Sequence, residues 1–254
     1  MRQTQKARAT MMRNLGIITI CALLGGCATY TTPGGPVVIS DLATPEINRL
    51  MTREPAADFP ANIAVVQIQA SGYRSLNTTG FGEGRYSVVL DRNEASERVL
   101  QQLGSLEGVA SIGPLNRLLL PTRMDSVQSL REAAAKLRAD MLLLYTFDTG
   151  FQVGDRRFRP LNTVALGFLN NKKITVTTTA SAIIYDVRTE YIYGLAEATN
   201  SDTREVSMWG NQRIVDALRI ETEHTALKML GDEIERTWAG IRAEHVLAAS
   251  GLER

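Results

Sequence analysis

The stretch that most constrains this chain is Leu24-Gly25-Gly26-Cys27. A large apolar residue stands three before a cysteine, and the two residues between have no side chains. A peptidase can seat an extended chain across Gly25 and Gly26 because nothing projects from them. What precedes the cysteine suits the same event. Arg2, Lys6, Arg8 and Arg13 make a positive leading region, and Leu15 to Leu24 is an apolar run broken only by Gly16 and Thr19. A spanning helix needs roughly 20 apolar residues. This run is shorter and fits the apolar region of a cleaved export signal.

Together these features resemble bacterial lipoprotein signals. The resemblance implies cleavage between Gly26 and Cys27. Cys27 then becomes the first mature residue and carries lipid on its thiol and its amine. Because Ala28 is not an aspartate, the sorting rules of such proteins imply delivery to the outer membrane, facing the periplasm. The implied division is a signal over 1–26, a lipidated tether and short helix over 27–61, an α/β domain over 62–247 and a tail over 248–254.

The signal takes with it four of the 28 lysines and arginines, leaving 24 against 27 acidic residues, a net charge of −3. So small a charge argues against nucleic acid as partner and against polybasic attachment to anionic lipid. Cys21 leaves with the signal and Cys27 is lipidated, so no thiol remains for a disulfide. The mature length suits one domain of ordinary size. No second long apolar run occurs, which makes the lipid the expected membrane attachment.

Ala28 to Pro36, with Pro33, Gly34, Gly35 and Pro36, reads as a spacer. A short helix is expected from Thr44 and Pro45, and Pro55 and Pro60 mark a second connector. Asn62 to Ala70 is a strand whose consecutive Ile63, Ala64, Val65 and Val66 predict cover on both faces. Ser71 to Tyr86 is a polar loop with Gly80, Gly82 and Gly84. About ten residues part those glycines from the strand and no Lys-Ser/Thr pair follows, so a flexible loop or a hairpin is expected rather than a phosphate cradle.

Glu94 to Leu106 is an amphipathic helix, capped by Asn93 or Asp91. Val109 to Leu115 is a strand, and Leu118 to Leu120 extends its apolar run. Asp125 or Ser126 caps a helix with Val127, Leu130, Ala134 and Leu137 on one face. Asp140 to Phe147 is a buried strand. Strand, helix, strand, helix, strand implies an α/β sheet with right-handed crossovers. Gly154 to Lys173 is irregular and basic. Ile174 to Val187 alternates as a strand with one wet face, Arg188-Thr189-Glu190 turns, and Tyr191 to Thr199 returns as an added hairpin. Gln212 to Leu247 is one long helix or two abutting ones, which should cover a face of the sheet. The fold expected is thus a single mixed sheet with two βα crossover units, an added antiparallel hairpin and a long C-terminal helix packed on it.

This order, with Ala139-Asp140-Met141-Leu142-Leu143-Leu144-Tyr145-Thr146-Phe147 closing the second unit, resembles the TolB amino-terminal-like domain. That domain occurs in outer-membrane lipoproteins, including those of curli secretion. Asp140 to Asp148, the apolar insert at Val164 to Leu169, the Thr-rich strand ending Ile184-Tyr185-Asp186-Val187 and the return strand are similar to the rhombotarget lipoprotein family. That resemblance spans roughly Val88 to Trp238 and implies association with a rhomboid-type sorting protease that cuts a C-terminal tail. The sequence ends Ala248-Ala249-Ser250-Gly251-Leu252-Glu253-Arg254, which lacks the glycine-rich, membrane-spanning pattern of such a tail.

Little points to catalysis. His224 and His245 are far apart on the final helix and read as surface residues. No Gly-x-Ser-x-Gly occurs, and nothing fixes a spacing among Asp148, Asp155, Asp186, Glu190 and Glu197. No enzyme activity, cofactor, metal or small-molecule substrate is therefore inferred. Arg156, Arg157 and Arg159, with Tyr191 and Tyr193 at the hairpin tip, are the candidate contact residues for another envelope protein, because arginine and tyrosine concentrate binding energy. Tyr185 belongs to the same neighbourhood. The expected role is a non-catalytic binding or assembly accessory of the cell envelope. The alternative is a subunit of a curli-like pore or secretion complex, which the charged positions of the Ile174–Thr199 hairpin disfavour.

Overall fold

The first strand, β1 (Ala61–Ala70), is apolar at successive positions, and both of its faces are buried. A computed structural model describes residues 50–155, 172–206 and 211–249. All of them belong to the unit Thr32–Arg254. Ala64, Val66 and Ile68 pack into one core and Ala61, Ile63 and Val65 into another on the opposite face. That is the two-sided cover implied by four consecutive apolar residues.

The other elements follow in order: β2 (Glu83–Gly84), β3 (Tyr86–Val89), α1 (Glu94–Gly104), β4 (Val109–Pro114), β5 (Arg123–Met124), α2 (Gln128–Lys136), β6 (Met141–Asp155), β7 (Lys172–Asp186), β8 (Ile192–Val206) and α3 (Asn211–Ala249). The main sheet runs β3-β1-β6-β7-β8, with β4 also on β1. Strand β1 is parallel to β4 and to β6, and β6, β7 and β8 form an antiparallel meander. The mixed α/β architecture expected from the sequence is the one observed.

The two crossovers run in opposite directions. From β1 the chain moves outward to β4 through α1, then back past β1 to β6 through α2. Crossovers of one hand in opposite directions place their helices on opposite faces. Val99 and Leu103 of α1 accordingly lie in one core, and Leu130, Ala133 and Ala134 of α2 in the other.

The segment between β1 and α1 is a hairpin, and Tyr86–Val89 pairs antiparallel with Gln67–Ala70. Its spaced glycines serve the backbone. Gly84 has φ +112, and a Cβ there would sit 2.4 Å from the Met124 carbonyl oxygen where β2 meets β5. Two expected features fall out differently. The apolar run does not continue as strand through Leu118, because the Asn116 side chain accepts from the Leu118 amide at 2.9 Å and starts a 3-10 turn that leaves Leu118 exposed. Neither Asp125 nor Ser126 caps α2, which starts after Val127 without a side-chain cap. The Asp125 carboxylate is drawn instead to Arg123 at 2.7 Å, and the Ser126 carbonyl accepts from the Tyr86 hydroxyl at 2.8 Å. Asn93 does cap α1, in a reciprocal pair with Ser96.

The meander strands are longer than expected, 15 residues each. One face of β7 and β8 is a ladder of hydroxyl pairs: Thr175 with Thr203, Thr177 with Ser201 and Thr179 with Thr199, at 2.8 to 2.9 Å. The other face, with Ile174, Val176 and Ala180, is buried. From Ala182 to Val187 both faces of β7 are covered, so the wet face is confined to the outer part of the strand. Helix α3 is one continuous helix of 39 residues along β7 and β8. Its far end meets the turn after α1, where the Trp238 indole donates to the Glu107 carbonyl at 3.0 Å. Of the short helix expected from Thr44 only Leu50 and Met51 are described, both helical and exposed, and the basic residues at 156–159 lie outside the described residues.

Leu143 of β6 is 3% exposed and pairs with Val65 and Ile184 on its two sides. Leu143→Ala should cost about 2–5 kcal/mol, as lost transfer energy plus a cavity. A denaturant melt that shifts by less than about 1 kcal/mol would show that Leu143 is not a central packing residue.

Candidate functional site

Two places gather chemistry-bearing side chains. One is the tip where β7 turns into β8. Asp186 ends β7 fully buried, and four donors converge on its carboxylate. Oδ1 accepts from the amides of Arg188 and Thr189 at 2.8 and 2.9 Å. Oδ2 accepts from the Ala56 amide at 2.7 Å and the Tyr193 hydroxyl at 2.8 Å. Burial would raise this carboxyl's pKa, but the four donors favour the charged form and hold it below the usual value. Glu190, in the left-handed region at φ 61, sits between Arg53 and Arg131 and pairs with both. The segment 53–57, read from its prolines as part of a connector, is thereby bound to the domain. The Ala57 amide also donates to the Tyr193 hydroxyl at 3.0 Å.

Of the sequence-derived contact residues, Tyr193 thus has its hydroxyl engaged on both sides. Tyr191 is half-buried and meets Tyr193 edge to face, with ring centroids 5.2 Å apart. Tyr185 is buried in the core under α2. Arg156, Arg157 and Arg159 fall outside the described residues. The carboxylates Asp186 and Glu190 do come together at this tip, bound up in holding the turn. Cys27 and Gly26 also lie outside the described residues.

The second place is a crevice that the sequence did not reveal. Strand β1 shares its outer edge between two partners. Strand β4 pairs with Ala61–Val65, and β3 with Gln67–Ala70. Where they diverge, a cavity of about 600 Å³ opens, lined by the middle of β1, the end of β4, one face of α1 and a face of α3. The connections leaving the carboxyl ends of β1 and β4 go to opposite faces of the sheet. Such a switch point is where open α/β sheets bind ligands, and the volume is that of an ordinary small-molecule site.

Its inner walls are apolar: Val65, Val99, Leu103, Leu143, Leu227 and Leu230. Two polar side chains interrupt them. The Tyr145 hydroxyl, its pKa pushed up by burial, donates to Gln67 Oε1 at a long 3.4 Å. At the rim stand Asp91, Arg92 and Arg117. Arg92 pairs with Glu97 at 2.6 Å, while Arg117 lies 4.5 Å above the Phe81 ring.

A smaller hollow of about 220 Å³ adjoins it, sharing Gln67, Val89, Asp91, Tyr145 and Leu227. Its far wall is a buried ion cluster on α3. The Arg219 guanidinium reaches Asp216 at 2.8 Å and Glu223 at 2.7 Å. Burial raises the Glu223 carboxyl pKa, opposed by the Arg219 charge. Burial lowers that of His224, assisted by Arg98 and Arg219. His224, expected on the helix surface, is half-buried on this wall.

These groups are already committed. The Ser96 hydroxyl serves the α1 cap, Glu223 holds Arg219 and Thr149, and Asp216 holds Arg219 and Asn77. Among the described residues no three of His, Cys, Asp and Glu converge as a metal site. The arrangement offers an apolar recess with a few fixed polar groups, which is equipment for binding. The only hint in the sequence was Gln67, a polar residue directly after four apolar ones.

No family model matches the sequence, and no curated protein matches it. Several solved structures are loosely similar. A minor lipoprotein from Acinetobacter baumannii is 7% identical, with 72% of this chain and 92% of that one covered at a TM-score of 0.33. A lipoprotein from Neisseria meningitidis is 15% identical, with 64% and 96% covered at 0.29. Rare lipoprotein B from Shewanella oneidensis is 8% identical, with 74% and 98% covered at 0.26. The scores describe a loose likeness of arrangement. Among the described residues no helix is long and apolar enough to cross a membrane.

The Asp186 junction makes a pH-dependent claim. Its folded pKa lies below the unfolded value of about 3.9. Its stabilisation is therefore complete above that pH and is lost as pH falls through the folded value. Asp186→Asn turns acceptors into donors opposite two donors, each costing about 1–3 kcal/mol if left unsatisfied. The stability gap between parent and variant should be full at pH 7 and shrink below about pH 4. A gap that stays constant from pH 7 to pH 3 would contradict the charged, fourfold-bonded carboxylate.

Proposed function

We propose that this chain is an outer-membrane lipoprotein of the bacterial cell envelope, anchored through lipid on Cys27. Its part is a non-catalytic one, as a binding or assembly accessory on the periplasmic side. The anchor is supported by the Leu24-Gly25-Gly26-Cys27 pattern behind a basic and then apolar leader. The observation that favours binding over catalysis is the switch-point crevice, whose walls are apolar and beside which Arg92, Arg219 and Glu223 are held in ion pairs. The resemblance of the Val88–Trp238 pattern to rhombotarget lipoproteins supports an envelope role, while the sequence after Ala248 lacks the tail pattern that the family's sorting protease would cut.

A partner would meet the basic segment that follows Asp155 or the tip at Arg188–Tyr193 as separate surfaces, because β6 and β7 pair Asp155 with Lys172 at one end and Met141 with Asp186 at the other, so the segment leaves the end of the meander opposite the tip. Charge at a rim mainly speeds encounter, while desolvated arginine or tyrosine governs release.

Two measurements test the proposal. Several acyl chains hold a protein firmly, at about 0.8 kcal/mol per buried methylene. Cys27→Ser should therefore move the protein out of the membrane fraction or leave an unprocessed precursor. Lipid labelling that persists in this variant would sink the anchor, and recovery of the parent in inner membranes would count against outer-membrane delivery. Replacing Arg156, Arg157 and Arg159 together by serine should leave folding and anchoring intact while lowering the yield of crosslinked partners in cells. An unchanged set of partners at unchanged yield would make the basic segment a solvated loop.

A further inference from the structure

We propose that the switch-point crevice binds a single-chain anionic amphiphile, with one acyl chain in the apolar recess and its acidic group at the rim by Arg117. This rests on the reading of the crevice as a binding site and names its ligand class.

Three observations lead there. The recess is walled mainly by aliphatic side chains from the sheet, α1 and α3, which match a flexible hydrocarbon, with Tyr145 as the aromatic among them and Phe81 under Arg117. About 600 Å³ is room for one chain with its head and too little for a whole diacyl lipid. The rim carries a cation with no carboxylate partner among the described residues. Arg92 is neutralised by Glu97, but Arg117 is exposed, and among the described residues its guanidinium lies over the face of Phe81. A ring face offers no acceptor for the guanidinium N–H groups above it, and these suit a carboxylate or phosphate. Asp91 also lines the cavity and repels an acidic group from its own surroundings, which favours the Arg117 position for the head.

Inside, the Tyr145 hydroxyl has only a long bond to Gln67 and can donate to an oxygen on the chain. A protein tethered by its own lipid would also meet acyl chains at high local concentration. Fatty acids and lysophospholipids share this chemistry.

The test uses the lipidated full-length protein in isolated membranes. A palmitic acid probe with a terminal diazirine is photolysed and the labelled peptides are mapped. Label should fall on peptides holding Leu100–Leu103 and Leu227–Leu230. Leu100 is half-buried on the recess wall, and Leu100→Trp should fill it and reduce label about tenfold with the melting temperature held. Arg117→Glu, at an exposed site that folding does not depend on, should reduce it about fivefold, while Arg117→Lys retains most of it. The methyl ester of the probe should label as weakly as Arg117→Glu does with the acid. Competition by unlabelled palmitate against palmitoyl lysophosphatidylglycerol identifies the source.

Label outside the crevice, or label indifferent to Leu100→Trp, overturns the proposal. Label equal for acid and ester overturns the anionic head. If neither amphiphile enters yet Leu100→Trp lowers partner crosslinking, the ligand class fails and the binding reading survives. If Leu100→Trp changes neither, both fail.

Discussion

Strand β1 is the constraint on which the rest depends. Ile63, Val65, Val66 and Ile68 are each buried, two on either face. Burying such a side chain is worth about 1.5–3 kcal/mol, against a net stability of about 5–15 kcal/mol for a domain. A strand with this pattern is stable only between two layers. That forces one crossover helix above and one below, and hence the opposed directions of the two crossovers. The opposed crossovers in turn split the outer edge of β1 between β4 and β3. The crevice is thus a consequence of the same burial that makes the core, and it needs no strained loop to exist.

The second centre of order is Asp186. A buried carboxylate is tolerable only when its oxygens are satisfied, and here all four donors come from the turn, the incoming segment at 53–57 and Tyr193. Glu190 adds a second acidic point between Arg53 and Arg131, and Arg131 comes from α2. One turn therefore fastens the meander to the N-terminal segment and to a crossover helix. The charges at this tip are fixed parts of the frame.

What was legible in the sequence followed how far burial imposes a period. Asn62 to Ala70, the two crossover helices, the alternating strand from Ile174 and the final helix all show that period. The misreadings occur where burial is one-sided or a polar contact decides. Tyr86–Val89 is too short a run, behind Gly84, to announce a strand. Strands β6 and β8 run on past Phe147 and Thr199 through Asp148, Gln152, Asn200 and Ser201, where a hydroxyl-rich wet face hides the alternation and the backbone ladder alone carries the pairing. Asp125 has the right chemistry for a cap, and its loss to Arg123 is a tertiary choice that no local rule contains. The crevice was invisible because none of its wall residues is unusual alone. Val65, Val99 and Leu230 read as core, and only the split edge of β1 turns them into a lining.

The length of α3 explains how the crevice keeps its shape. Thirty-nine residues of helix reach about 58 Å, and a 15-residue strand about 50 Å, so one helix can run nearly the whole length of β8. Contacts near both ends fix its register. Arg204 pairs with Glu221, and Thr237 donates to the Leu195 carbonyl, so strand and helix run antiparallel. Between these points Leu227, Leu230 and Ile234 face the crevice. Gly231 lets α1 come close, since a Cβ there would meet Val99 at 3.2 Å. Gln102 of α1 then donates to Asp232 and Glu235, each at 3.0 Å. Helix α1 is thus held at its start by the Asn93–Ser96 cap and along its length by α3. A recess whose two helical walls are pinned to each other, and whose floor is the central strand, is formed before any occupant arrives. Such a site loses little freedom on binding, and its selectivity follows from shape and from the few polar groups at its ends.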